Sequence, residues 1–175
     1  YIQRMEPYQQ SIADFSQNAG IGQDSVYALI AAESGGNPNV CSPKMSCGLM
    51  QIQVNTAKEL DSSLRGLSSD QVAQLLKSDT DRNLRMGINH FGDLVREHGE
   101  EKAIAAYNGG AGNPNLPYHK ATNPGALTQS VACPGLLAYQ CRWDSAGCYN
   151  TGKTNCKPNV GFIETRTYVD RYKEY

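Results

Sequence analysis

Apolar side chains recur along most of the chain at spacings of three and four residues, the period of an amphipathic helix. Ile2, Met5, Tyr8, Ile12 and Phe15 approximate a first stripe, which Gly20 and Gly22 interrupt. Val26, Leu29, Ile30 and Glu33 form a second, closed by Ser34-Gly35-Gly36-Asn37-Pro38. Residues 49–60 are expected to be helical again, with Asn55 or Thr56 as a start. Ser68 and Gln71 fit a capping box for a short helix through Leu76, and Asp79 is placed to cap the next. In that next helix Leu84, Ile88, Phe91 and Val95 share one face, with His98-Gly99 as its stop. Gly87 and Gly92 each cost it about 1 kcal/mol relative to Ala, a cost that close helix–helix packing would explain. Residues 100–107 form another helix ending at Asn108-Gly109-Gly110. A last one covers residues 162–172, with Ile163, Tyr168 and Tyr172 as buried candidates. The fold class is mainly α.

Residues 111–160 break the periodicity. They hold five of the eight prolines, four of the six cysteines and the only tryptophan, Trp143. Cysteine pairs are wasted on a disordered tether, so the segment is expected to be an irregular, disulfide-pinned insertion in a single domain covering residues 1–175. At this length one chain can bury a real core.

Within the helical part, one position combines burial with charge. Glu33 lies on an apolar helix face and in the last turn before a Gly-Gly stop. Burial disfavours the charged carboxylate, and so does the negative end of the helix dipole. A carboxyl group that keeps its proton near neutral pH can serve as a general acid. The alternative is an ordinary surface glutamate at a helix end.

Composition narrows the chemistry further. The net charge of −1 leaves no electrostatic footprint for nucleic acid or an anionic membrane. No apolar run reaches transmembrane length, and the chain opens at Tyr1 without a signal-peptide pattern, so a leader removed earlier is expected. Cys41, Cys47, Cys133, Cys141, Cys148 and Cys156 form an even set without a CxxC pair, and the three histidines are scattered, which favours disulfides and an oxidising compartment over a metal site. Cys41 with Cys47 is the most local pairing; proximity suggests Cys133 with Cys141 and Cys148 with Cys156.

Three segments, taken together, resemble the soluble lytic transglycosylases, the goose-lysozyme-related SLT family. ESGGNPNVCSP from Glu33 and GLMQI from Gly48 resemble its catalytic Glu-Ser, Asn-Pro, Ser-Pro and Gly-Leu-Met-Gln motifs. AYNGG at 106–110 is similar to its Ala-Tyr-Asn-Ala-Gly, and ETRTYVDRY at 164–172 to its closing Glu-Thr-x-x-Tyr-Val. The resemblance implies a lysozyme-like helical domain that cleaves the peptidoglycan strand between N-acetylmuramic acid and N-acetylglucosamine, with no cofactor. Glu33 would act first as acid and then as base. The substrate's own N-acetyl oxygen would attack the anomeric carbon, and a 1,6-anhydro ring would close without water. A second catalytic carboxylate, which most glycosidases need, is then unnecessary. Ser42, Gln51, Tyr107, Asn108, Glu164 and Tyr168 match the family's substrate-binding positions. Gln53 stands where Met is frequent, which exchanges an apolar sugar floor for a hydrogen-bonding one, and Gly109 stands where Ala is usual. The expected location is the bacterial periplasm or the cell exterior, and the expected partners are glycan strands and a secretion, conjugation or pilus apparatus.

Two rivals share the groove. A hydrolytic muramidase would use water as nucleophile, with Asp144 as a conceivable second acid. A non-catalytic glycan-binding module would keep the residues but not the turnover. A cysteine peptidase would need a reactive thiol beside a histidine, for which no motif exists.

Overall fold

The computed structural model describes residues 2–117, 120–121, 124–141 and 162–175. Trp143, Asp144, Cys148 and Cys156 lie outside the described residues, and so do the expectations attached to them. The chain divides into two compact units, Tyr1–Asp93 and Leu94–Glu174.

The first unit is built from α1 (Ile2–Met5), α2 (Gln9–Ala19), α3 (Gln23–Ser34), α4 (Val54–Leu60), α5 (Ser69–Ser78) and most of α6 (Thr80–His98), with a two-stranded ribbon of β1 (Ser46–Cys47) and β2 (Ile52–Gln53) between α3 and α4. The predicted stripes supply its interior. Met5, Ile12, Val26, Leu29, Ile30, Leu84, Ile88 and Phe91 are all fully buried. Ile2 is not: it sits in the opening turn of the chain and is 68% exposed. Ser68 and Gln71 form the expected capping box, each side chain bonded to the other's backbone N–H. Asp79 caps α6 by accepting from the Arg82 N–H at 3.1 Å.

The segment after α3 corrects the sequence reading. Residues 49–53 are not helical; Gln51 adopts φ +46°, β2 follows, and α4 starts at Val54. The backbone there is bound into a turn and a ribbon rather than an i→i−4 ladder. β1 and β2 pair antiparallel, Ser46 opposite Gln53 and Cys47 opposite Ile52. Gly87 also differs from expectation. A methyl group on it would meet not another helix but the Met50 side chain in that turn.

The second unit contains the end of α6, α7 (Glu100–Gly109) and α8 (Ile163–Glu174), with the described residues of 111–141 between these last two in sequence. Ala103, Ile104, Ala105 and Ala106 of α7 are buried, as are Thr165, Tyr168 and Val169 of α8. Ile163, expected inside, is 45% exposed in the first turn of α8, and Tyr172 is half-buried. The insertion is ordered where described. Ala126 N–H donates to Gly110 O at 2.8 Å, Ala138 N–H to Thr128 O at 2.8 Å, and Tyr139 N–H to Ala126 O at 3.1 Å. Disulfides join Cys41 to Cys47 and Cys133 to Cys141, both as proximity suggested.

Candidate active site

Glu33 lies in the last turn of α3, half-buried, as the apolar spacing predicts. The helix stops because Gly35 takes a left-handed φ of +59°, which glycine adopts without penalty, while its N–H still donates to Ala31 O at 3.2 Å. The next residue along from Glu33 anchors this end. The Ser34 hydroxyl donates to Leu49 O at 2.8 Å and accepts from the Gly36 N–H at 3.2 Å.

The loop that follows is closed by the Cys41–Cys47 disulfide, and Ser42 stands at its base, next to Cys41 and opposite Ser46. Ser42 N–H donates to Ser46 O at 2.8 Å, while Ser42 Oγ accepts from the Ser46 N–H at 3.1 Å. The hydroxyl is thus fixed by the same turn that leaves the residue half exposed. Gln51, expected to donate to a sugar, uses its amide nitrogen on the protein instead: Nε2 donates to Val40 O at 3.0 Å and to Gly48 O at 2.9 Å. Its positive φ turns the chain, and its side chain pins that turn to the Cys41 loop. Gln53 is exposed at the end of β2, available to a polar ligand.

Residues that sequence reasoning missed hold this turn in place. Asn83 of α6 is fully buried. Its Oδ1 accepts from the Met50 N–H at 2.9 Å, and its Nδ2 donates to Cys47 O at 2.9 Å and Leu76 O at 3.1 Å. A side chain at Gly48, whose φ is +82°, would overlap the Asn83 amide. The available signal was a polar residue one helical turn from Gly87 in a stripe otherwise apolar.

The second unit carries Tyr107, Asn108, Glu164 and Tyr168. Tyr107 and Asn108 occupy the half-buried end of α7. Asn108 Oδ1 accepts from the Thr165 hydroxyl at 2.9 Å, so α8 orients the amide from a residue that is itself buried. Tyr168 is 2% exposed, and Glu164 is exposed in the first turn of α8. The insertion is tied to the same helix: Arg166 Nη1 donates to Tyr139 O at 3.3 Å and Cys141 O at 3.0 Å. Burial beside Glu101 pushes the Tyr139 phenol above its ordinary pKa, so it remains a neutral hydroxyl.

Among the described residues, no three histidine, cysteine, aspartate or glutamate side chains converge on a metal-sized site, and no helix is long and apolar enough to cross a membrane. The arrangement is that of the Glu33 carboxyl at the pinned end of α3, followed in sequence by a disulfide-closed polar loop.

Residues 10–126 match the model of the transglycosylase SLT domain, and the chain belongs to that family. Among curated relatives it is 38% identical over 87 residues to the endo-type membrane-bound lytic murein transglycosylase A of Cronobacter sakazakii, covering 50% of this chain and 41% of that protein. The corresponding protein of an Enterobacter species is 35% identical over 85 residues, covering 49% and 40%. The matches thus span about two fifths of the length of these relatives. A solved structure, an inactive mutant of lytic transglycosylase Slt from Pseudomonas aeruginosa, matches 58% of this chain and 16% of its own with 26% identity and a TM-score of 0.48.

Proposed function

We propose that the protein is a peptidoglycan lytic transglycosylase that cleaves the bond from N-acetylmuramic acid to N-acetylglucosamine. The observation that carries the proposal is the position of Glu33: half-buried, in the last turn of α3, inside the segment matched to the SLT domain. In the proposed reaction the Glu33 carboxyl gives its proton to the glycosidic oxygen as the C1–O bond breaks. The substrate's N-acetyl oxygen closes on C1 and forms a bicyclic oxazolinium. The Glu33 carboxylate then takes the proton of the sugar's 6-hydroxyl, O6 attacks C1, and the acetamide is released. One carboxyl group serves both steps and returns to its starting state, and no water is consumed.

Ser42, held by Ser46 at the base of the disulfide loop, is proposed to face the acetamido group of the reacting sugar, and Gln53 a neighbouring sugar. Sugar-binding roles for Tyr107, Asn108, Glu164 and Tyr168 rest on the motif match alone. The bonds of Gln51 support a different part for it, shaping the loop rather than donating to glycan. A peptidoglycan substrate and the two disulfides support a location in the periplasm or outside the cell. A wall-spanning secretion, conjugation or pilus machine is the kind of assembly such a local wall opening serves.

Mass spectrometry of digested peptidoglycan tests the reading. Anhydro-muropeptides are the expected products, and Glu33→Gln should abolish them. Reducing-end products would replace the transglycosylase with a hydrolase, and equal wall clearance by the wild type and Glu33→Gln would leave only a binding module.

A further inference from the structure

We propose that Ser34 and Asn83 are positioning residues that hold the Glu33 carboxyl in place through the Cys47–Met50 turn. The inference rests on the reading of Glu33 as the acid and base, and it concerns how that residue is aimed.

A helix C-terminus is the place where a chain frays, because its last carbonyls have no partner within the helix. Glu33 stands in that weak position, yet proton transfer needs it within a fraction of an ångström of its target. Ser34 Oγ has Ile30 O of its own helix at 3.3 Å, but its shorter bond, the tie that counters fraying, goes outside the helix. Ser34, adjacent to Glu33, bonds through its hydroxyl to Leu49 O at 2.8 Å, in a segment fifteen residues further on. A tie to a turn is only as firm as the turn. This one has Leu49 and Met50 fully buried, and it is grasped on both sides of Leu49. Asn83 accepts from the Met50 N–H and donates to Cys47 O, with its second amide hydrogen on Leu76 O.

A buried amide left half-satisfied would cost stability, and Asn83 engages both donors and its acceptor. It could have been replaced by an apolar residue had filling space been the whole requirement. Its three partners instead belong to three separate stretches: the end of α5, the end of the disulfide loop and the GLMQ turn. The same side chain forbids any residue but glycine at position 48. Gln51 adds the last strut, from the turn back to Val40 and Gly48. The GLMQ motif is thereby explained as a scaffold piece: glycine for the Asn83 contact, Leu49 O for Ser34, the Met50 N–H for Asn83, and glutamine for the Val40 loop. Glu33 receives its position from α6, relayed over two residues.

Steady-state kinetics on purified glycan strands, combined with amide exchange, tests the relay. Ser34→Ala should lower kcat about 30-fold with KM within about twofold and the thermal midpoint lowered by no more than about 4 °C, since a 1 Å misplacement costs on the order of 100-fold. Ser34→Thr, which keeps the hydroxyl, should recover most of that loss. Asn83→Ala should raise the exchange rate of the Met50 amide at least about tenfold while the Ile12 amide in α2 keeps its protection. A kcat loss that only mirrors the unfolded fraction, or a Ser34→Thr as slow as Ser34→Ala, overturns the proposal. If Asn83→Ala unfolds globally, exposing Ile12 as well, the Ser34 pair decides alone. A wild type that releases no anhydro product would defeat the transglycosylase reading, whereas the exchange pattern at Met50 would still report on the relay.

Discussion

A methyl group placed on Gly87 would lie 2.6 Å from Cβ of Met50, closer than nonbonded carbons approach one another. The α6 backbone therefore runs directly against the turn that carries the GLMQ motif. That contact gives an otherwise costly glycine its purpose in a helix interior. Gly87→Ala gains about 1 kcal/mol of helix propensity but inserts a carbon where Met50 offers its Cβ rather than a flexible end. Overpacking of this kind costs about 1–3 kcal/mol, so the clash wins. Urea denaturation should show a net loss of about 1 kcal/mol, and a stabilised Gly87→Ala would mean that the turn is not packed this way.

Gly109 stands where the SLT family usually has Ala, and the second unit supplies the reason. An added Cβ there would lie 2.7 Å from Thr165 Oγ1 and 3.0 Å from Ala126 Cβ. The same Thr165 hydroxyl donates to Asn108, so a displaced threonine releases the amide too. Gly109→Ala should destabilise by about 1–3 kcal/mol and lower glycan affinity. A double-mutant cycle with Thr165→Ala checks the cause, because contacting residues couple by about 0.5–3 kcal/mol. Strict additivity of the two changes would remove Thr165 from the explanation.

Helix periodicity was legible in α6, where burial is one-sided, while α3, buried over the consecutive residues Ala28 to Ala32, was bounded by its glycine stop and the Ser68–Gln71 box by its cap chemistry. Motif order likewise made Glu33 stand out. The turn over residues 48–53 was not legible, because Leu49, Met50, Ile52 and Val54 imitate a buried helix face. What forbids the helix is the positive φ of Gln51 and the buried amide of Asn83, a partner more than thirty residues away. A period of 3.6 cannot register a long-range hydrogen bond. Ile2 and Ile163 failed for the opposite reason: each falls in the first turn of its helix, where too few neighbours exist to cover an apolar side chain.

The Cys41–Cys47 bridge closes a loop with a sequence separation of six, and it holds the turn on which Ser42 sits. For so short a loop the chain-entropy contribution is about 2 kcal/mol, modest beside bridges that span whole domains. Replacing both cysteines by serine should therefore leave the protein folded, lower its stability by about 2 kcal/mol, and raise KM for glycan more than it lowers kcat. The reasoning is that Ser42 is proposed to bind the sugar, whereas Ser34 and Asn83 aim the acid. Calorimetry and initial rates on the double variant check both parts; an unchanged KM would show that the bridge has no bearing on the Ser42 loop.

His90 of α6 provides a pH dependence whose sign follows from its surroundings. Burial lowers its pKa below the ordinary 6.5, and the pull of Asp93 and Glu59 in the other direction does not offset it. The unfolded chain then binds the proton more readily than the folded one, so stability rises with pH across the interval between the two values. This contribution is fully present above about pH 6.5 and is lost as the pH falls through the folded value. Asp61 acts in a separate, more acidic window. Hydrogen bonds from Ser63 lower its pKa below 3.8, so its contribution fades only as the pH falls beneath that. Thermal unfolding followed as the pH is lowered through 6.5 should consequently show a falling midpoint for the wild type and a flatter course for His90→Gln. Parallel curves through the upper interval would assign the acid sensitivity to carboxylates and leave His90 no part in it.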